Sequence, residues 1–223
     1  MAKAQAKKST TGAPRKKASG DDDALLDRRR QLIDITAELF AEQGYKATTV
    51  RAIGRKAGVL SGSLYYHFDS KEAIADELFA SYFDELVTTY RSIIEEGADP
   101  RATIKRIVHA AFEAIGQHRA ANVVLQNEGE YLAQFPRFKY LKDREREIER
   151  LWTGVIKDGI ESGAFLSDLD PKMVYRFIRD GVWAAVRWYK PSGRLKAGDL
   201  ADQYCSIILD GIAAPKAKVR RTP

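Results

Sequence analysis

Cysteine is almost missing from this chain. Cys205 is the only one in 223 residues, so no intramolecular disulfide can form, and a reducing compartment, the cytoplasm, is the expected setting. Long apolar runs are missing as well. None approaches the length of a membrane span, and the N-terminal charges are not followed by the apolar core of a secretory signal, so no membrane partner is expected. There is no glycine-rich phosphate loop, no nucleophile elbow and no paired metal-ligand motif. His109, Glu113 and His118 come nearest to a metal set, but His118 lies beyond the next turn and no third ligand is evident. Glu128 and Glu130 read more simply as residues of an exposed helix than as an acid–base pair. The expectation is a protein with no catalytic residues, no metal and no cofactor.

What is abundant is charge, unevenly placed. Lys and Arg number 37 against 31 Asp and Glu, a formal net charge of +6. The excess sits at the ends: Lys3, Lys7, Lys8, Arg15, Lys16 and Lys17 at one, and Lys216, Lys218, Arg220 and Arg221 at the other. Basic residues also dominate residues 28–71, while the body that follows is mildly acidic. Positive charge concentrated in one short folded segment is what a nucleic-acid interface needs. An architectural DNA-binding protein would gain from basic surface throughout, and the acidic body argues against that class.

Residues 1–22 and 214–223 have too little apolar surface to offset ordering entropy and are expected to be disordered basic tails. From Asp23 onward the apolar spacing is helical, and no segment alternates like a strand. Leu32, Ile35, Leu39 and Phe40 mark a first helix stopped by Gly44. Thr48 or Thr49 caps a second, which Gly58 ends, and a third covers about Ser61 to His67. Asp69 with Glu72 reads as a capping box opening a long helix to about Glu96. Pro100, Pro136 and Pro171 sit where new helices begin, giving helices near 101–118, 121–134, 137–162, 171–189 and 197–213. The expected fold is all-α, with about nine helices. A DNA-binding domain spans 23–70, and a ligand-binding and dimerisation domain spans 71–213.

Residues 48–71 read TTVRAIGRKAGVLSGSLYYHFDSK. Two short helices meeting at Ala57-Gly58-Val59 make a helix-turn-helix, whose second helix would enter the major groove. Thr49, Tyr66 and His67 offer donors for phosphates, and Lys71 a charge. Ser61, Gly62 and Ser63 are small enough for close approach to bases. Leu64, Phe68 and, by its spacing, Tyr65 read as core. The stretch from Phe40, Gly44, Tyr45, Thr48 and Thr49 to Leu64, Tyr65, Tyr66, His67, Phe68, Ser70 and Lys71 resembles the DNA-binding domain of the TetR family. That resemblance implies a repressor that binds double-stranded DNA at a near-palindromic operator as a homodimer, releases it on binding a small-molecule inducer, and includes Thr48, Tyr65 and Lys71 in its DNA face. Many relatives carry Lys where this chain has Ser61. Its recognition helix therefore lacks Lys and Arg, leaving Arg51 as the best candidate to read guanine.

In the second domain, Tyr175, Arg179, Trp183 and Arg187 recur every fourth residue along an otherwise apolar helix. Such a helix should be buried, and buried arginines need anionic partners. Three partners are open: acidic side chains in salt bridges, an anionic ligand stacked on Trp183, or a second nucleic-acid surface. The regulatory half is similar to the KstR-type steroid-catabolism repressors of actinobacteria, in particular the branch responding to a coenzyme A thioester of a ring fragment. The resemblance implies an acyl-CoA inducer. Candidate residues for an apolar tunnel are Phe79, Phe83, Phe112, Ile115, Leu125 and Trp152. Ala201, Cys205, Ile208, Leu209 and Ile212 line one face of the last helix and are expected at the dimer interface, with Gly181, Ala184 and Ala185 allowing close helix approach.

Overall fold

The computed structural model describes residues 18–212; the expected tail at 214–223, and residues 1–17 of the one expected at 1–22, lie outside them. Among the described residues there are nine α-helices and no strand: α1 (Ala18–Gln43), α2 (Val50–Ala57), α3 (Ser61–His67), α4 (Lys71–Glu95), α5 (Pro100–Gln117), α6 (Arg119–Leu132), α7 (Tyr140–Glu161), α8 (Pro171–Trp188) and α9 (Ala197–Ile212). A single 3-10 turn, Pro136–Phe138, precedes α7. Helix α1 begins at Ala18, ahead of the expected Asp23, so residues 18–22 belong to a helix rather than to a tail.

The caps explain most boundaries. The Thr49 hydroxyl accepts the Ala52 N–H (3.1 Å), which settles the cap of α2 in favour of Thr49. Gly58 closes α2 with φ 67°, a left-handed conformation that glycine adopts without Cβ strain. The cap of α4 is Ser70, not Asp69: its hydroxyl accepts the Ala73 N–H (3.1 Å). The Glu72 carboxylate instead accepts the Tyr45 hydroxyl (3.1 Å), so the expected capping box does not form. Asp99 and Asp170 cap α5 and α8 just ahead of their prolines.

Two packing centres result. Leu32, Leu39, Ile53, Leu64, Phe68 and Ile74 close a small core that fixes α1, α2 and α3 against the start of α4. The larger core is organised around α5, which packs against α4, α6, α7, α8 and α9. Phe40 and Tyr45 belong to this larger core although they come from the first domain. Tyr45 meets Phe40 and Phe138 edge-on, at ring separations of 5.1 and 6.5 Å. The head is therefore wedged into the body and not merely tethered to it.

Candidate nucleic-acid interface and regulatory cavity

The outer surface of the head carries the side chains that a duplex would meet. In α3, Gly62 and Ser63 are exposed, and a Cβ added at Gly62 would meet nothing within 4 Å. Tyr66 is 76% exposed and Tyr65 56%, so Tyr65 is not the core residue its spacing suggested: the buried stripe of this short, seven-residue helix needs only Leu64 before Phe68. Ser61 and His67 are half-buried, while Thr49 and Arg51 are exposed. The Arg51 guanidinium makes no hydrogen bond or ion pair among the described residues.

Two expected DNA contacts point elsewhere. Thr48 is buried, and its hydroxyl donates to the Gly44 carbonyl (2.8 Å). The Lys71 ammonium donates to the carbonyls of Tyr45 (2.7 Å) and Thr48 (3.0 Å) and lies 4.2 Å from the Tyr45 ring centroid. Burial lowers the Lys71 pKa from the usual lysine value. Both side chains lock the α1–α2 turn, where orphan carbonyls at a helix end need donors. Sequence reading also passed over Leu60. It is 84% exposed and holds the N-cap position of α3 without a capping side chain, where a hydroxyl or carboxamide is usual. That mismatch is the signal that could have found it, and its apolar side chain suits a thymine methyl. Arg29 was missed too. It forks onto Glu77 (2.6–3.0 Å), donates to the His67 carbonyl and lies 4.1 Å from the Phe68 ring centroid, bracing the end of α3 against α4.

The body contains a cavity of about 580 Å³ between α4, α5, α7 and α8, with Asn122 of α6 in its wall. Phe83, Ile115, Trp152, Tyr175, Arg179 and Trp183 meet there, together with Tyr82, Leu86 and Tyr90. Phe79, Phe112 and Leu125 do not: Phe79 packs on Phe138 (6.0 Å), Phe112 on Tyr204 (5.6 Å), and Leu125 lies in the general core. Lys142, Glu145, Arg146 and Glu149 of α7 join the lining from the surface side; no expectation included them.

The arginine stripe of α8 is corrected by geometry. Each four-residue step drifts about 40° around a helix, so Arg187 has turned about 120° away from Tyr175. Arg187 is exposed and outside the cavity lining, while Arg179 lines it. Arg179 is not buried either: its side chain is 45% exposed and pairs with Asp180 (2.7 Å). The expected burial of α8 fails because the helix leaves an apolar face uncovered, with Met173, Phe177 and Trp188 each more than half exposed.

The apolar stripe on α9 that was expected at an interface is largely taken up within the chain. Ala201, Cys205 and Leu209 are buried within the chain, on the side of α9 that packs on α5, while Ile208 and Ile212 are half-buried. The uncovered residue is Ile207, 74% exposed. Gly181 admits the Tyr204 ring of the same chain, whose hydroxyl donates to the Ile178 carbonyl (2.9 Å). Burial pushes the Cys205 thiol up to about 11, leaving almost no thiolate at neutral pH. His109 and His118 face Asp202 and Glu85, each at 3.1 Å.

One helix spans the distance between cavity and head. Asn122 of α6 lies in the cavity wall, and the Gln126 side chain donates to the Trp183 carbonyl (3.2 Å). Further along, the Glu128 carboxylate accepts the backbone N–H groups of Tyr45 (2.5 Å) and Lys46 (3.3 Å). The Lys46 ammonium lies 3.8 Å from the Tyr131 ring centroid. Helix α6 thus touches both the cavity and the turn that leads into α2.

Comparison with known proteins agrees with this division. Residues 32–78 match the model described as "Bacterial regulatory proteins, tetR family". Residues 97–212 match "Tetracyclin repressor-like, C-terminal domain". The chain is 47% identical to the HTH-type transcriptional repressor KstR2 of Rhodococcus jostii over 195 residues, covering 87% of this chain and 96% of the relative. It is also 47% identical to the repressor of that name from Mycobacterium tuberculosis over 185 residues, covering 83% and 92%. The solved structure of the ketosteroid transcriptional regulator KstR2 of Mycobacterium tuberculosis superposes with a TM-score of 0.82 at 46% identity, covering 84% of this chain and 96% of that one. With a two-helix DNA reader at one end, a cavity at the other and these relatives, the chain is not an enzyme; it belongs to the TetR family of DNA-binding transcriptional repressors.

Proposed function

We propose that this repressor acts in the cytoplasm as a homodimer on a near-palindromic operator, and that an acyl-CoA thioester from steroid breakdown releases it. The single observation that carries the reading is the cavity's division into two chemistries. Its inner wall is aromatic and apolar, and its outer rim holds Lys142, Arg146 and Arg179. A thioester of a polycyclic acid asks for both: apolar enclosure for the ring fragment and cations for the phosphates. The volume, about 580 Å³, suits the acyl group and the inner arm of the thiol carrier, with the nucleotide left at the rim. Acids share that rim, and Arg179 already holds Asp180, so an entering phosphate must draw Arg179 away from its neighbour. The name "ketosteroid transcriptional regulator" attached to the similar structure agrees with a ring-derived acyl group.

Dimerisation is read from the uncovered apolar face formed by Met173, Phe177 and Trp188 of α8 and Ile207 of α9. Two such helices from each subunit would close a four-helix interface. Release is read from α6: a ligand that displaces the Asn122 wall or the Trp183 backbone shifts the helix whose Glu128 grips the turn before α2. The test is operator release in a mobility assay with a steroid-derived acyl-CoA, free coenzyme A and the free acid. Release by the thioester alone is expected. Equal release by the free acid would remove the role assigned to the cationic rim.

A further inference from the structure

The inner end of the cavity holds a feature that neither the cationic rim nor the apolar wall explains. Trp152 is 3% exposed, and its indole N–H has no hydrogen-bond partner among the described residues. A buried donor left unpaired costs about 1–3 kcal/mol, and such groups are rare enough that each asks for a reason. Trp152 lines the cavity, so the donor lies in the wall of a space and not in close-packed core. The Tyr90 ring stands perpendicular to the indole at 5.6 Å, and Tyr175 flanks it at 6.0 Å. Across the same cavity the Tyr82 hydroxyl donates to the Asn122 side-chain oxygen (2.9 Å), and the Asn122 amide donates to the His118 carbonyl (2.9 Å). Asn122 already accepts one hydrogen bond and donates another, and the Tyr90 hydroxyl, although within reach of the indole, does not meet its N–H in hydrogen-bond geometry.

The charge of the wall narrows what the donor serves. Burial holds the hydroxyls of Tyr82 and Tyr90 well above the usual phenol value and Tyr175 up to about 12, so all three keep their protons at neutral pH. The cations of the lining belong to α7 and α8 at the rim, not to this inner group of aromatic residues. A carboxylate brought here would be an unpaired buried charge. An uncharged oxygen with lone pairs would meet a waiting donor at little desolvation cost.

We infer that Trp152 is a specificity-determining residue whose indole N–H donates to an uncharged carbonyl oxygen on the apolar part of the ligand. The protein thereby distinguishes an oxo-substituted ring system from the matching hydrocarbon. This deepens the cavity reading of the proposed function and rests on it. A hydrocarbon acyl group fills the same volume but leaves the N–H unpaired, and the difference between the two ligands should be roughly tenfold in affinity.

The probes are oxo-decalin-carbonyl-CoA and decalin-carbonyl-CoA, which differ by one carbonyl oxygen, titrated into the full-length protein and into Trp152→Phe. The wild type is expected to prefer the oxo compound about tenfold. Trp152→Phe, which keeps an aromatic ring and removes the N–H, should bind the two alike, whatever the smaller ring costs both in packing. Equal binding by the wild type, or full preference retained by Trp152→Phe, overturns the inference. A second measurement is free of coenzyme A and of any variant's folding: the indole N–H resonances of the wild-type protein on adding 2-decalone or decalin. One of the three tryptophan signals should move downfield with the ketone and stay in place with the hydrocarbon. If neither thioester binds but the ketone moves that signal, the thioester reading fails and the carbonyl site stands. If the ketone moves no indole signal, the carbonyl site fails, whatever the thioesters do.

Discussion

The head and the body are built from the same element, the α-helix, yet they present their chemistry in opposite directions. In α2 and α3 the informative side chains point outward, and a core of only six fully buried residues holds them there. In the body the informative side chains point inward, onto a cavity shared by helices far apart in sequence. An outward face is made by one short stretch of chain, whereas an inward face is made by packing. The sequence therefore describes the first better than the second.

The sharpest break between the two regions is at the proposed dimer, which would space two heads through a contact between bodies. Ile207→Asp should leave each subunit folded, because Ile207 is 74% exposed in the single chain. It would bury an unpaired carboxylate at the proposed interface, and operator affinity should fall by more than about 100-fold as half-sites uncouple. Sedimentation that still finds a dimer would move the interface off α9. The next effect lies wholly in the body. Arg179→Met removes the charge at the cavity rim and keeps most of the apolar volume, so ligand-triggered release should weaken by roughly tenfold or more. Its melting temperature should barely change, since an exposed pair such as Arg179–Asp180 contributes little. Loss of stability with release intact would return Arg179 to a purely structural role.

Within the head, two substitutions separate holding from touching. Lys71→Met leaves the carbonyls of Tyr45 and Thr48 without their donor and should cost about 1–3 kcal/mol of stability, read by thermal or denaturant melting. The salt dependence of DNA binding by the folded variant should be unchanged, because the Lys71 ammonium is already held by two backbone carbonyls; a slope reduced by about one would put it back on a phosphate. Tyr66→Ala should do the reverse, weakening specific and random DNA alike by about 1–2 kcal/mol while melting as the wild type. The smallest effect is expected from Arg51→Ala, a relaxed preference at one base step. Equal losses on operator and random duplex would reduce Arg51 to a phosphate contact.

How legible the molecule was follows from the same contrast. Helix boundaries were readable to within a few residues because Gly58, Pro100 and Pro171 act locally, and the recognition helix was placed at Ser61–His67 without error. Lys71 and Thr48 misled because their partners are backbone carbonyls more than twenty residues away for Lys71 and inside a turn for Thr48, neither of which leaves a mark on residue type. The periodicity of α8 was real, but four-residue recurrence does not say how far the stripe winds, and Arg187 wound out of reach. Ala201, Cys205 and Leu209 form an apolar stripe whether they meet α5 or a second subunit; only the folded chain shows that α5 takes them. Lys142 and Arg146 escaped notice because a charged helix face looks the same over solvent as over a cavity mouth.

The grip of Glu128 is addressed to N–H groups, not to side chains. At the exposed position 46 any residue except proline would offer the same handle, so drift in side-chain identity there need not loosen the connection between body and head, whereas at 45 the N–H grip adds to the packing of the Tyr45 ring. A connection of this kind also carries traffic both ways. If occupancy of the cavity lowers operator affinity by some factor, the operator must lower affinity for the inducer by that same factor. Promoter-bound molecules would then be the last in the cell to notice a rising inducer, and the free pool the first.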